Sequence, residues 1–162
     1  MVKFFMTDEN VRIRSIDEFE VGCWVELINP TDEEVDQVKE LTGMQEDWLK
    51  AALDEEESAR MDAEDGVTMY IVDSPMLVDT EDGSMYTTIP VALLYNEKCI
   101  VSVSLYSNPV LQGFMLNRKR ISTKKPTEFI LNLILKVVQK QKSKEQEKFY
   151  HLKKMIDYFL FS

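Results

Sequence analysis

The segment from residue 129 to 138 constrains the fold of this chain most, because it is a helix candidate that is apolar almost all round. Its sequence is FILNLILKVV, and Pro126 just before it favours the first turn of a helix. A helix that is apolar on several sides must be buried on several sides. From residue 140 the sequence becomes strongly polar, and Phe149, Leu152, Ile156 and Phe159 then recur at spacings typical of a narrow seam on an associating helix.

The preceding part of the chain alternates β-favouring runs with short helix patterns. A capping box formed by Thr31 and Glu34 begins the first helix, and Gly43 ends it. Further short helices are predicted over 46–53 and 110–116. The β-favouring runs lie at 2–6, 11–16, 23–28, 68–72, 76–78, 86–95 and 99–105. The first two runs predict a hairpin, and 79–84 is expected to be a turn-rich linker in which Asp82 and Gly83 favour a tight connection.

The length of 162 residues is typical of a single domain with a sizeable core. We expect an α/β domain over 1–142, followed by a helical tail over 143–162. No apolar run approaches the length that spans a bilayer. Cys23 and Cys99 have no CxxC spacing, so two buried free thiols in a reducing environment are predicted.

Charge is distributed very unevenly along the chain. Residues 1–97 hold 25 acids and 6 bases, a net charge of −19, whereas residues 98–162 hold 4 acids and 13 bases, a net charge of +9. Nucleic acid is a poor partner for a body so acidic. The basic residues at 118–120 and 124–125 form either a solvated linker, which we favour, or a site for phosphate or an anionic membrane face.

Four consecutive carboxylates, Asp54, Glu55, Glu56 and Glu57, follow the second predicted helix. Acids at the end of a helix are disfavoured by its partial negative charge, so something nearby should compensate them. Arg60, a bound cation or a neighbouring subunit could do so. A solvated face is the more common explanation of a charge run. The sharper hypothesis is a site for a hard divalent cation, because such ions choose carboxylate oxygen and water.

Motifs that carry enzymatic chemistry are missing from the sequence. There is no phosphate-binding loop and no dinucleotide fingerprint, and both Asp-Gly turns lack the oxygen ligands of a calcium loop. His151 is the only histidine, and we expect it to be an ordinary surface residue. Trp24 and Trp48 lie in apolar stripes and are predicted to be core residues rather than ligand platforms. The sequence therefore predicts a protein that is not an enzyme.

Several loose motifs follow one another along the chain: WVELINPT at 24–31, WLKAALD at 48–54, ESAR at 57–60, TIPV at 88–91 and CIVSV at 99–103. Their order resembles the cytoplasmic N-terminal domain of CorA-type magnesium transporters. The resemblance covers roughly residues 11–138. It implies an α/β domain with a mixed β-sheet between helical layers. It also implies a homopentameric cytoplasmic funnel, followed in the full protein by a stalk helix and two membrane helices.

The sequence departs from the family pattern in two ways, one at the pore and one at the regulatory magnesium site. The pore signature Gly-Met-Asn and both membrane helices are missing from the chain, and Gly43-Met44-Gln45 is an accidental near-match in a soluble segment. The family's best-known members bind regulatory magnesium with an aspartate at a subunit boundary, and matching without gaps from Arg60 places Ala51 there. The ligand is therefore not carried over, and the run from Asp54 to Glu57 lies within about one helical turn of that position.

Two main functional hypotheses follow, beside a third, a hydrolase using carboxylates and metal, which would need a pocket with convergent acids. The first is the cytosolic, cation-sensing domain of a CorA-like transporter for Mg²⁺ or a related ion such as cobalt, located at the cytoplasmic face of the membrane. In it, Mg²⁺ is regulatory or transported and is not required for folding. The second is a soluble acidic interaction module that docks on a protein partner through its C-terminal helix.

Overall fold

A computed structural model describes residues 1–116 and 121–161 of the chain, with the side chains at 148, 149, 151, 152, 155, 158, 159 and 161 left out of the description. This part contains seven strands and four α-helices. The strands are β1 (Val2–Thr7), β2 (Ile13–Ile16), β3 (Trp24–Ile28), β4 (Arg60–Glu64), β5 (Val67–Thr80), β6 (Gly83–Tyr95) and β7 (Ile100–Ser104). The helices are α1 (Asp32–Thr42), α2 (Glu46–Lys50), α3 (Pro109–Met115) and α4 (Pro126–Phe161).

All seven strands form one mixed sheet in the order β2-β1-β3-β7-β6-β5-β4. The central strands β3 and β7 are parallel, and every other neighbouring pair is antiparallel. The predicted hairpin at the start of the chain is confirmed as β1 and β2, which pair from Phe4 opposite Ile16 to Thr7 opposite Ile13. Parallel neighbours need a long crossover, and the segment between β3 and β7 supplies α1, α2 and the β4–β6 part of the sheet.

Local signals set the ends of α1 as the sequence predicts. The Thr31 side chain accepts a hydrogen bond from the Glu34 backbone N–H (3.2 Å), and the Glu34 carboxylate accepts one from the Thr31 N–H (2.9 Å), which completes the capping box. Gly43 ends the helix with a φ of 75°, a conformation that glycine adopts without steric cost. α2 is followed by a single 3₁₀ turn (Ala51–Leu53), so the predicted helix over 46–53 tightens in its last turn.

Two apolar clusters lie on opposite faces of the sheet. On one face, Val25 and Leu27 of β3 pack with buried residues of α1, α2 and the 3₁₀ turn. On the other face, Trp24 of β3 packs with residues of α3 and α4, among them Phe129. Successive side chains of a strand point to opposite faces, so β3 contributes to both clusters. The predicted fold class, an α/β structure with a mixed sheet between helical layers, is confirmed.

The connection between β5 and β6 corrects the sequence analysis. The runs at 68–72 and 76–78 belong to one 14-residue strand that continues through Pro75, and the predicted linker over 79–84 is mostly paired, with Thr80 opposite Gly83. Proline is tolerated at a free sheet edge. Pro75 meets this condition because β4 pairs with β5 only as far as Ile71. The distal half of β5 and β6 is therefore a two-stranded ribbon.

The helix α4 packs on the core near its N-terminal end and then extends past the core to the β5–β6 ribbon. Phe129, Ile130, Leu133 and Val137 are buried against the sheet, and Lys144 lies 4.3 Å from the centre of the Tyr86 ring of the ribbon. The predicted boundary at residues 142 and 143 lies within this one helix and stays a prediction. No helix in the described part of the chain is both long and apolar enough to cross a bilayer.

Candidate functional site

The four carboxylates form an exposed loop between the 3₁₀ turn and β4. Asp54 directly follows the turn with extended backbone dihedrals, and Asp54, Glu55 and Glu56 are exposed while Glu57 is half-buried. The alanine and leucine side chains of the preceding 3₁₀ turn pack in the apolar cluster that the sheet forms with α1 and α2. The loop is therefore fixed at its base and open to solvent at its tip. We call residues 54–57 the acidic loop.

Asp54 organises the backbone of the acidic loop. Its Oδ1 accepts a hydrogen bond from the Glu56 N–H at 3.0 Å, and its backbone oxygen accepts one from the Glu57 N–H at 3.1 Å. A short polar side chain that bonds the backbone two residues later is a common way to close a turn. Asp54 thus acts first as a turn residue, although its carboxylate stays at the surface.

Two other carboxylates of the loop have partners elsewhere in the chain. Glu55 Oε1 accepts a hydrogen bond from the Tyr106 hydroxyl at 2.9 Å, and this bond to a carboxylate raises the pKa of Tyr106. Glu57 Oε1 accepts hydrogen bonds from the Ser58 N–H at 3.0 Å and from Arg60 Nε at 3.2 Å. The hydrogen bond from Arg60 lowers the pKa of Glu57. Arg60 is thus confirmed as one compensating charge, and it also pairs with Asp62 of β4.

The loop does not form a closed cage for a metal ion. Among the residues that the structure describes, no three His, Cys, Asp or Glu side chains converge to hold one. Asp54, Glu55 and Glu57 each accept the described hydrogen bonds through one carboxylate oxygen only. The Glu56 carboxylate accepts none from the described residues. Magnesium keeps several waters and is often held by one or two carboxylates. The arrangement suits a hydrated cation attracted to a negative surface.

The acidic loop and the acids of the two preceding helices differ in the basic residues that pair with them. Lys50 bridges Asp32 of α1 at 2.9 Å and Glu46 of α2 at 2.8 Å, so one acid of each helix shares the same basic partner. The acidic loop has Arg60 alone among the described bases within ion-pair distance. Tyr106 could not be predicted as a partner of Glu55, because a contact between residues 51 positions apart leaves no local signal in the sequence.

The other candidate residues are placed as follows. Trp24 is a core residue, as predicted: it is fully buried and its Nε1–H donates to Ser102 Oγ at 2.9 Å. Trp48 is half-buried and packs against the same cluster as α1. The basic residues at 118–120, the side chain of His151 and most of the predicted tail seam lie outside the described residues, and only Ile156 of that seam is described, as exposed.

The two cysteines are confirmed as buried free thiols, with exposed fractions of 0% for Cys23 and 2% for Cys99. Burial raises the pKa of Cys23 and raises that of Cys99 to about 12. Because the thiolate is the reactive form, we expect neither cysteine of the native protein to react with an aromatic disulfide reagent at pH 8. Two equivalents should react after denaturation. A native cysteine that is labelled at the denatured rate would contradict this packing.

The sheet order, the helical layers on both faces and the long C-terminal helix define a class of α/β domain found in solved magnesium transporter structures. The soluble domain of CorA from Methanocaldococcus jannaschii matches with a TM-score of 0.77 and 16% identity, covering 99% of this chain and 64% of that one. The complete CorA magnesium transporter of the same organism matches with a TM-score of 0.72 and 15% identity, over 99% and 51%. The full-length CmaX protein matches with a TM-score of 0.72 and 12% identity, over 96% and 50%.

The sequence assigns the chain to a protein family, whereas the structural matches show only its fold. The model of the family described as CorA-like Mg²⁺ transporter protein matches residues 19–143, and the chain belongs to this family. A comparison with curated protein sequences gives no match. The chain spans about half the length of the complete CorA transporter and of the full-length CmaX protein.

Proposed function

We propose that this chain is the cytosolic, cation-sensing regulatory domain of a CorA-like divalent metal ion transporter. The family match over residues 19–143 is the observation that carries the proposal. The likeness to the soluble domain of a magnesium transporter supports the same role for the fold. The full protein would be a homopentamer whose membrane helices conduct the ion, with this domain at the cytoplasmic face and with no catalytic activity of its own.

The acidic loop supplies a physical basis for sensing. Like charges on facing surfaces of adjacent subunits repel one another, and this repulsion opposes close packing. Hydrated Mg²⁺ near Asp54, Glu55, Glu56 and Glu57 would relieve the repulsion when the ion is abundant. When the ion is scarce, the surfaces would separate and the pore would open. Because the loop already has its turn and its hydrogen bonds, the cation would not be needed for folding.

A magnesium titration of residues 1–162 tests this role. We expect the backbone amide signals of residues 54–57 to shift with a midpoint on the order of millimolar Mg²⁺, as suits a wet site with few carboxylates. A parallel titration with NaCl at matched ionic strength removes the general screening effect. No shift of these signals beyond that seen with NaCl would contradict the assignment of the acidic loop.

A matched pair of variants identifies the site. The variant Asp54→Asn, Glu55→Gln and Glu56→Gln removes three charges, and an asparagine at 54 can still accept the Glu56 N–H that closes the turn. The control Asp79→Asn, Glu81→Gln and Asp82→Asn removes three charges from the exposed tip of the β5–β6 ribbon. Only the first variant should lose the magnesium-specific shifts. An equal loss in both variants would indicate a diffuse response to net charge.

A further inference from the structure

A cavity of about 260 Å³ lies between α3 and the first half of α4. Residues of α3 line one side of it and two lysines of α4 line the other: Pro109, Val110, Gly113, Phe114, Lys136 and Lys140. Small-molecule pockets are mostly apolar with a few polar groups, and they range from about 300 Å³ upwards. The cavity is close to the smallest of these, so only a small ligand fits it. We call it the α3–α4 cavity.

The α3 side of the cavity offers a fixed apolar wall. Phe114 is buried, and its ring packs edge-on against that of Phe129, with 5.0 Å between the ring centres. Val110 is half-buried beside it. Water gains little from covering such a carbon surface, so an apolar ligand group that displaces it is favoured. Because Phe114 is anchored in the core, the wall exists before any ligand arrives.

Gly113 keeps the α3–α4 cavity open. It lies inside α3, where glycine is less favourable than alanine because it loses more backbone freedom on folding. A β-carbon at this position would meet no described atom outside the helix backbone within 4 Å. Packing within the described chain therefore does not require a glycine here. Because Gly113 lines the cavity, a larger side chain would take up part of its space.

The α4 side of the cavity is positively charged. Lys136 is half-buried and Lys140 is exposed. They are four residues apart, so they lie on the same side of α4, and like charges at this spacing repel each other. No described residue forms an ion pair or a hydrogen bond with either side chain. The described lining has no carboxylate, so it suits an anion, which would relieve the repulsion between the two ammonium groups.

We propose that the α3–α4 cavity binds a small organic anion with an apolar body, of the class of medium-chain carboxylates. The apolar body lies against Val110 and Phe114, and the carboxylate pairs with Lys136 and Lys140. Hydrogen bonds from charged donors orient the ligand, and burial of its apolar body supplies the rest of the binding. The ligand contacts both helices, so its binding stabilises the packing of α3 on α4.

This site is separate from the proposed magnesium sensing. The acidic loop follows a turn that packs on one face of the sheet, whereas α3 and α4 pack on the opposite face. The two sites also select ligands of opposite charge. Failure of the magnesium titration would therefore leave the anion site standing, and failure of anion binding would leave the family role standing.

Calorimetric titration of residues 1–162 with three probes tests the proposal. We expect octanoate to bind with a dissociation constant on the order of 0.1–1 mM, as modest efficiency gives for about ten non-hydrogen atoms. Octanol lacks the charge and acetate lacks the apolar body, so each should bind at least about fivefold more weakly. No binding of octanoate at about 10 mM, or octanol binding as tightly as octanoate, would overturn the proposal.

A substitution that fills the cavity locates the site. Gly113→Leu should abolish octanoate binding, while resistance to urea stays equal or rises, because leucine favours a helix more than glycine does. The control Gln112→Leu adds the same side chain at an exposed position of α3 outside the described lining, and should leave the dissociation constant unchanged. Equal binding of octanoate by the wild type and Gly113→Leu would reject the cavity as the site.

Charge removal tests the role of the two lysines. Lys136→Gln combined with Lys140→Gln should raise the dissociation constant of octanoate by about tenfold and leave that of octanol unchanged, since only the carboxylate pairs with the ammonium groups. The control Lys153→Gln with Lys154→Gln removes the same charge from exposed residues farther along α4. Equal weakening by both double variants would indicate general attraction to positive charge and would contradict the assignment.

Discussion

Replacing Phe129 by alanine is expected to lower the free energy of unfolding by about 3–5 kcal/mol, the usual cost of removing a large aromatic side chain from a core. Phe129 is fully buried. Its ring centre lies 5.5 Å from that of Trp24 on the central strand β3 and 5.0 Å from that of Phe114 on α3. The side chain thus joins both helices of one layer to the middle of the sheet. Urea unfolding followed by tryptophan fluorescence measures the loss.

The control for this experiment is Leu116→Ala. Leu116 follows α3 and is 85% exposed, so its truncation should change the free energy of unfolding by no more than about 0.5 kcal/mol. Equal effects of the two substitutions would show that α4 is not anchored through Phe129. A large loss for Phe129→Ala alone would support the packing of α4 against Trp24 and Phe114.

Local features of the fold could be predicted from the sequence because their causes are local. The capping box of Thr31 and Glu34 and the glycine at position 43 set the ends of α1 through bonds between near neighbours. The hairpin of β1 and β2 follows from two short β-favouring runs and the turn between them. The family resemblance supplied the arrangement of these elements into a mixed sheet.

Features that depend on distant contacts were wrong or missing in the prediction. A proline normally interrupts a strand, yet β5 continues through Pro75 because β4 has already ended beside it. β4 itself was missed, since its sequence RMDAE has little β propensity and it is held by pairing with β5. For the acidic loop, the pairing of Glu57 with Arg60 is within reach of sequence analysis, whereas the bond between Glu55 and Tyr106 is not.

Among the residues that the structure describes, Glu26 is the one acidic residue with a buried side chain, and a second large effect is expected there. It lies in β3 with 4% of its surface exposed, on the same sheet face as Trp24. No described residue donates a hydrogen bond to its carboxylate or lies within ion-pair distance of it. Burial raises the pKa of Glu26, and Lys3, which is opposite it in β1, only partly offsets this effect.

The raised pKa fixes the sign of the pH dependence. A carboxyl group whose pKa is higher in the folded state binds its proton more tightly when folded. Its contribution to stability is fully present below its ordinary pKa of 4.5 and is lost as the pH rises through the folded value. Asp8, Glu34, Glu46 and Glu57 have lowered pKa values and act in the opposite direction, over a more acidic range. The two ranges can thus be separated by experiment.

We expect Glu26→Gln to be more stable than the wild type by about 1–2 kcal/mol at neutral pH, because the amide removes the cost of burying an unpaired charge. The difference should shrink towards zero as the pH falls to about 4, where the wild-type carboxyl group is itself neutral. Urea unfolding of both proteins from pH 4 to pH 8 measures it. Glu33→Gln, which changes an exposed acid of α1, controls for net charge. Parallel stability curves for the wild type and Glu26→Gln would show that the carboxylate is compensated in the native protein. A difference that grows with pH only at position 26 would show instead that the central strand retains a charge at an energetic cost.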